Sequence, residues 1–345
     1  MITTVFEYAY PNTRIKAMKA KLLPVESFRK LVHFKTLQEI IAFLGNTDYK
    51  QDVEKLSPLY KGIELLETVL NRNLSRTLDK MVRVFPEKLK PKVFALVRKY
   101  EVYNIKTLIG GIETGSKKEE IILSLIPFGR FPSHFLKDLV EKKTVKELVF
   151  SLKGTEYFDV LFPLLEEFEK TKDLSVLESE LDKFYYQKLL EEIEETFIKY
   201  IVQMEIDLKN ILTVLRLKVV GAPEEKINRN IIKIEGPSSR IIRDMVKAPT
   251  LEKAINVLKS TPYKDLVSKH EHEVLYEKSL ISLEKEFEKF LIKSYSKLVH
   301  VYPFSLAPSI GYLKLKEVEI RNLRIIGRFA FEKVEGVEKE VIWLE

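Results

Sequence analysis

The sequence predicts an all-α protein made of three related helical lobes, and three observations carry that prediction. Apolar residues recur at helical spacing through most of the 345 residues, glycine and proline cluster between long amphipathic segments, and one helix–turn–helix stretch returns twice. That stretch reads "KTLQEIIAFLGNTDYKQ" from residue 35, "KTVKELVFSLKGTEYFD" from residue 143 and "PTLEKAINVLKSTPYKD" from residue 249.

In the first copy Leu37, Ile40, Ile41 and Leu44 fall on one helical stripe. The stripe becomes Val145, Leu148, Val149 and Leu152 in the second copy, and Leu251, Ala254, Ile255 and Leu258 in the third. Thr36, Thr144 and Thr250 precede these stripes, where a hydroxyl can accept from the free amides of a first turn. Glu39 and Glu147 complete a capping box, whereas Lys253 takes that place in the third copy. Each copy then carries a Leu-x-x-Thr-x-Tyr turn. Thr47, Thr155 and Thr261, followed by Asp48, Glu156 and Pro262, are expected to start the second helix. Tyr49, Tyr157 and Tyr263 then fall in its first turn, as packed rings that lock the corner.

Downstream, Asn104, Asn210 and Asn322 follow the three tyrosines at similar distances, each with an acid three residues before it: Glu101, Asp207 and Glu319. That spacing puts acid and amide on one helix face, able to bond each other or to cap a neighbouring helix. Repetition in every copy favours architecture over an active site. The lobes are placed at residues 1–114, 115–222 and 223–345, with the repetition creating a pseudo-threefold body. Long charged segments such as "GIELLETVLNRNLSRTLDKMVRVF", "LESELDKFYYQKLLEEIEETFIKYIVQMEIDLKNILTVLRLK" and "HEVLYEKSLISLEKEFEKFLIKSY" read as helices, and only the tail "EVIWLE" has a strand-like pattern.

Lysine and arginine number 58 against 51 acids, a formal charge of +7, but the signs alternate along the helices instead of forming a basic block. Hydrophobic residues make up 45% of the chain, enough to sustain packed cores. The absence of cysteine excludes disulfides and thiol catalysis and favours an intracellular compartment. No secretory signal is expected at the start, and no apolar run approaches the ~18 residues of a membrane span.

Candidate chemistry is sparse. "GGIETGSKK" has phosphate-loop glycine spacing at Gly110 and Gly115, but Ser116 precedes Lys117 and no strand leads into it. His270 and His272 are two apart and point to different helix faces, unlike a zinc-binding pair. No catalytic residue, cofactor or metal is expected. Basic residues two positions after an asparagine, Lys106 and Arg324, with Arg14 two after Asn12, are candidates for a partner interface. The second copy has Leu212 in that place.

The opening "YAYPNTRIKAMKAKLL", the three Leu-x-x-Thr-x-Tyr turns, "DLKNILTVLRLK" and above all "YLKLKEVEIRNLRIIGR" resemble the C subunit of archaeal and bacterial A/V-type ATP synthases, similar to the d subunit of eukaryotic vacuolar ATPases. The resemblance covers the whole chain. It implies a non-catalytic central-stalk subunit, a funnel of three helical domains that seats the rotor shaft on the membrane proteolipid ring at its cytoplasmic face. It further implies a monomer within the complex, with no nucleic-acid partner and membrane contact only through the ring. A soluble helical-repeat scaffold binding an acidic protein or RNA is the alternative, followed by an enzyme with no nominated substrate.

Overall fold

The computed structural model describes residues 2–343, with side chains from residue 6 onward. Among the described residues it is helical with no strand, apart from one isolated bridge between Phe128 and Phe131. The chain divides into two compact units: Met1–Leu148 with Tyr295–Glu345, and Val149–Ser294. Residues 115–148, expected from sequence likeness to fall in the second repeat, pack in the first unit.

In the first unit, the Gly62–Arg83 helix carries Leu66, Val69, Leu70, Leu74, Leu78 and Met81 on one buried face, the stripe that its periodicity requires. It packs against the 26-residue helix Ala307–Glu332. Gly327 sits at that crossing, where a Cβ would collide with the Leu66 side chain, so the missing side chain sets the approach of the two helices. The Ile2–Lys19 helix also packs along Ala307–Glu332. Its Asn12 donates to the carbonyls of Pro303 and Ser305 at 2.8 and 2.9 Å, fixing the turn that leads into that long helix.

The core of the second unit is built around the Thr196–Val219 helix, whose Ile211, Val214 and Leu215 meet Met245, Ile255, Leu258 and Phe287. Tyr157 packs edge-on against Phe184 at 5.5 Å, and Tyr263 repeats the arrangement with Phe290 at 6.4 Å. Phe150, Phe158 and Phe162 form a partly exposed aromatic cluster where the first repeat has Ala42, Lys50 and Glu54.

The first-helix caps occur as expected. Thr36 accepts from the Glu39 amide while Glu39 accepts from the Thr36 amide, and Thr250 accepts from Lys253 alone. In the second copy Thr144 accepts from Glu147, whose carboxylate turns to the Lys143 amide. The second threonines face both ways. Thr47, Thr155 and Thr261 donate back to the carbonyls of Leu44, Leu152 and Leu258, closing the helix behind them. Two of the hydroxyls also accept from the turn ahead, Thr47 from the Tyr49 amide at 3.3 Å and Thr261 from the Tyr263 amide at 3.1 Å, while Thr155 stands directly before Glu156–Leu161 without such a bond. Tyr157 lies in a first turn, but Tyr49 and Tyr263 stand one residue before their helices.

Two long segments that read as continuous are broken. Extended backbone at Ile193 separates Ser175–Glu192 from Thr196–Val219, since burying Ile193 there competes with continuing the helix. A turn of π-helix, Glu273–Glu277, ends on Lys278 at φ 55°, and the next helix starts at Ile281. "GGIETGSKK" joins two helices, Lys99–Glu113 and Lys118–Ser124, through Gly115 at φ +65°. Val341–Trp343 is not a strand, and Leu344 and Glu345 lie outside the described residues.

Candidate functional site

The acid–asparagine pairs are the polar centre of each repeat, and they are buried: Asn104, Asn210 and Asn322 are at most 3% exposed. The amides do not bond their acids. Each reaches across to an extended segment and completes both hydrogen bonds of one isoleucine. Asn104 donates to the Ile126 carbonyl at 2.7 Å and accepts from its amide at 2.8 Å. Asn210 does the same to Ile232 at 3.0 and 2.7 Å, and Asn322 to Ile342 at 2.9 Å for both bonds. A primary amide presents a donor and an acceptor side by side, so it stands in for a neighbouring strand. It satisfies backbone groups that burial of the isoleucine side chain has removed from water. The tail pattern thereby finds its use: in "VIW" the backbone groups of Ile342 are met by a side chain instead of a strand.

The acids one turn earlier hold a second loop. Glu101 accepts from the Arg130 amide at 3.0 Å, beside Gly129, whose φ of +62° allows that close approach. Asp207 accepts from the Ser238 amide and hydroxyl; burial pushes its carboxyl up, and these bonds pull it part of the way back. Tyr263 bonds the same Ser238, and burial with the nearby Asp207 charge pushes its phenol up to about 12.

Glu319 is held differently. It accepts from the Leu23 amide at 2.6 Å, from the Tyr49 hydroxyl at 2.7 Å and from Lys316 at 2.6 Å. Lys316 also donates to the Tyr49 hydroxyl at 2.9 Å and lies 4.3 Å from the centre of its ring. Lys316 and Glu319 are buried together, so the pair survives only because every charged atom is engaged. Burial, followed by the Glu319 charge, pushes the Tyr49 phenol well above its ordinary value. Lys316 escaped the sequence reading although it stands on the apolar stripe of its helix, between Leu313 and Ile320.

A polar network on the neighbouring helices was also missed. Asp52, buried, accepts from Arg76 at 2.9 Å and from Asn73 at 3.0 Å. Asn71 donates to the Leu123 carbonyl at 2.7 Å. The interface candidates stand on three different helices. Arg14 is exposed on Ile2–Lys19, and Lys106 is half-buried on Lys99–Glu113. Arg324 is spent internally, donating to Glu67 at 2.8 Å and to Asn71. Its carboxylate partner lies within the same unit, which the sequence distance from Glu67 hides.

His270 and His272 do not converge: the first faces Glu273 at 3.7 Å and the second stacks on Tyr276. Among the described residues no group of three or more histidines and carboxylates is placed to hold a metal ion, and no helix is long and apolar enough to cross a membrane.

The chain is similar over its length to proteins named as the C subunit of A-type ATP synthases. It is 36% identical to that of Methanosarcina mazei over 97% of this chain and 91% of that protein. It is 31% identical to the Archaeoglobus fulgidus protein over the whole of both, and 32% identical to that of Pyrococcus horikoshii over 97% of this chain and 90% of that protein. The pattern of the family described as ATP synthase (C/AC39) subunit matches residues 11–336, and to that family this chain belongs.

Proposed function

We propose that this chain is the non-catalytic central-stalk subunit of a rotary A/V-type ATP synthase. In this reading it is a three-lobed socket that couples the rotor shaft to the membrane proteolipid ring, during ion-driven ATP synthesis or ATP-driven ion pumping. The lobes are residues 1–114, 115–222 and 223–345, arranged as a pseudo-threefold funnel. It sits as a monomer on the cytoplasmic face, touching the membrane only through the ring.

One observation carries the proposal: two of the three repeat tyrosines are matched with the acid of another repeat. Tyr263 of the third repeat shares Ser238 with Asp207 of the second. Tyr49 of the first bonds Glu319 of the third, which ties the two ends of the chain together. Links of this kind between repeats support a body of joined lobes, and the engaged Lys316–Glu319–Tyr49 group supplies rigidity of the sort that torque transfer needs. Membership of the ATP synthase (C/AC39) subunit family supports the choice of machine. Arg14 is the basic candidate whose exposure suits partner contact, whereas Arg324 serves within the chain.

Affinity purification of the tagged chain from native membranes tests the proposal. Recovery with the proteolipid ring and the shaft subunits is expected. An intact chain recovered from solubilised, assembled complex without either would overturn it.

A further inference from the structure

Two clefts of about 560 Å³ open at matching positions, one between the first repeat and residues 122–137 (the first-repeat cleft) and one between the second repeat and residues 223–233 (the second-repeat cleft). Leu56 and Leu164 line them at the same distance after Tyr49 and Tyr157, as do Arg72 and Glu180. The comparison is a built-in control, because similar walls surround different charges.

The second-repeat cleft is balanced, four cations against four carboxylates, and closely paired. Lys226 meets Asp173 at 3.2 Å, Lys183 meets Glu180 at 2.7 Å, and Arg229 meets Glu167 at 2.5 Å. The first-repeat cleft carries four cations, Lys55, Arg72, Arg76 and Lys137, against two carboxylates. Arg76 already neutralises the buried Asp52. Arg72 stays half exposed, no nearer than 3.8 Å to that carboxylate. Lys55 and Lys137 stand exposed on the rim with no ion pair among the described residues. Between them lies an apolar wall that includes Leu59, 72% exposed, and Tyr60. Unpaired cations over exposed apolar surface form a surface complementary to carboxylates borne on an apolar helix face.

We propose that the cleft of the first repeat, lined by Arg72, Lys55, Lys137 and Leu59, is a docking slot for an acidic amphipathic helical segment of a partner protein. The leucine-type side chains of that segment cover Leu59 and Tyr60 while its carboxylates meet Arg72 and the two lysines. The second-repeat cleft, with Glu180 in place of Arg72, does not take it. The +7 formal charge, spread thinly along the sequence, is locally uncompensated at this cleft.

The test uses the full chain and a fluorescein-labelled helical peptide with Leu at helical spacing and Glu elsewhere, alongside its counterpart with Lys for Glu. Fluorescence anisotropy is expected to report binding of the acidic peptide only, weakening as salt is raised to several times the physiological level. Arg72→Glu with Lys137→Glu should weaken it roughly tenfold or more, while Lys233→Glu in the other cleft leaves it unchanged. Leu59→Asp, at an exposed position, should also weaken it and supplies the same test without disturbing any ion pair. Absence of acidic-peptide binding, equal binding of the basic peptide, or equal loss with Lys233→Glu would overturn the inference. The rotor assignment is judged separately by co-purification, so either can fail without the other.

Discussion

The Tyr49 hydroxyl donates to Oε1 of Glu319 across 2.7 Å and 270 residues of sequence, and Lys316 donates to the same oxygen. Both charges are buried. Lys316→Met leaves the carboxylate without its counter-charge and is expected to cost about 3–5 kcal/mol of unfolding free energy. Adding Glu319→Gln removes the orphaned charge; its carbonyl can still accept from the Leu23 amide and its amide can donate to the Tyr49 hydroxyl, so the double variant should regain most of that loss. Urea unfolding of the parent, the single and the double variants measures both numbers. A Lys316→Met protein as stable as its parent would mean that the pair contributes no net stability.

The asparagine clamps predict a local effect. Asn210→Ala leaves the Ile232 amide buried without a partner, at about 1–3 kcal/mol, while the carbonyl keeps its bond from the Ile234 amide. The melting temperature should fall, and hydrogen exchange at the Ile232 amide should accelerate by more than global destabilisation explains. Unchanged exchange at that amide would argue that solvent already reaches the segment.

Tyr157 is fully buried against Phe184. Truncation to Ala removes a packed ring from a close-packed site and should cost roughly 3–5 kcal/mol. Tyr157→Leu, which keeps apolar volume, should lose less. Thermal melts in which the Ala variant matches the parent would remove the tyrosine from the core of its unit.

How much of this was legible follows from distance along the chain. The helix Leu37–Leu44, its Thr36–Glu39 box and the degraded cap at Lys253 are local, set by residues three apart, and the sequence pattern located them. Burial of Tyr49, Tyr157 and Tyr263 was legible too, through repetition. The threonines beside those tyrosines do open the next turn, Thr47 and Thr261 by accepting from the tyrosine amides, but the bonds they donate back to Leu44 and Leu258 are hidden because local pattern does not say which carbonyl lies nearest. The Asn322–Ile342 and Tyr49–Glu319 bonds join elements that meet only in the folded chain. Arg324 illustrates the same limit: a cation on a charged helix looks solvated until Glu67 is brought beside it.

Buried tyrosines also fix how stability responds to alkali. Burial, then the Asp207 charge, pushes Tyr263 from 10.0 up to about 12, and Tyr49 shifts in the same direction. Below the unfolded value both states keep the phenol proton, so Tyr263 adds no pH dependence there. Between about 10 and about 12 the unfolded phenol ionises while the folded one stays protonated. The unfolded state then binds fewer protons, and stability falls as pH rises. Above the folded value both are ionised and the loss attributable to this residue is complete. Urea midpoints followed from about pH 8 to about pH 12 should decline over that upper window. Tyr263→Phe cannot ionise, so its decline should be shallower than that of the parent. Parallel curves for the two proteins would assign the alkaline loss to other groups, Tyr49 first among them.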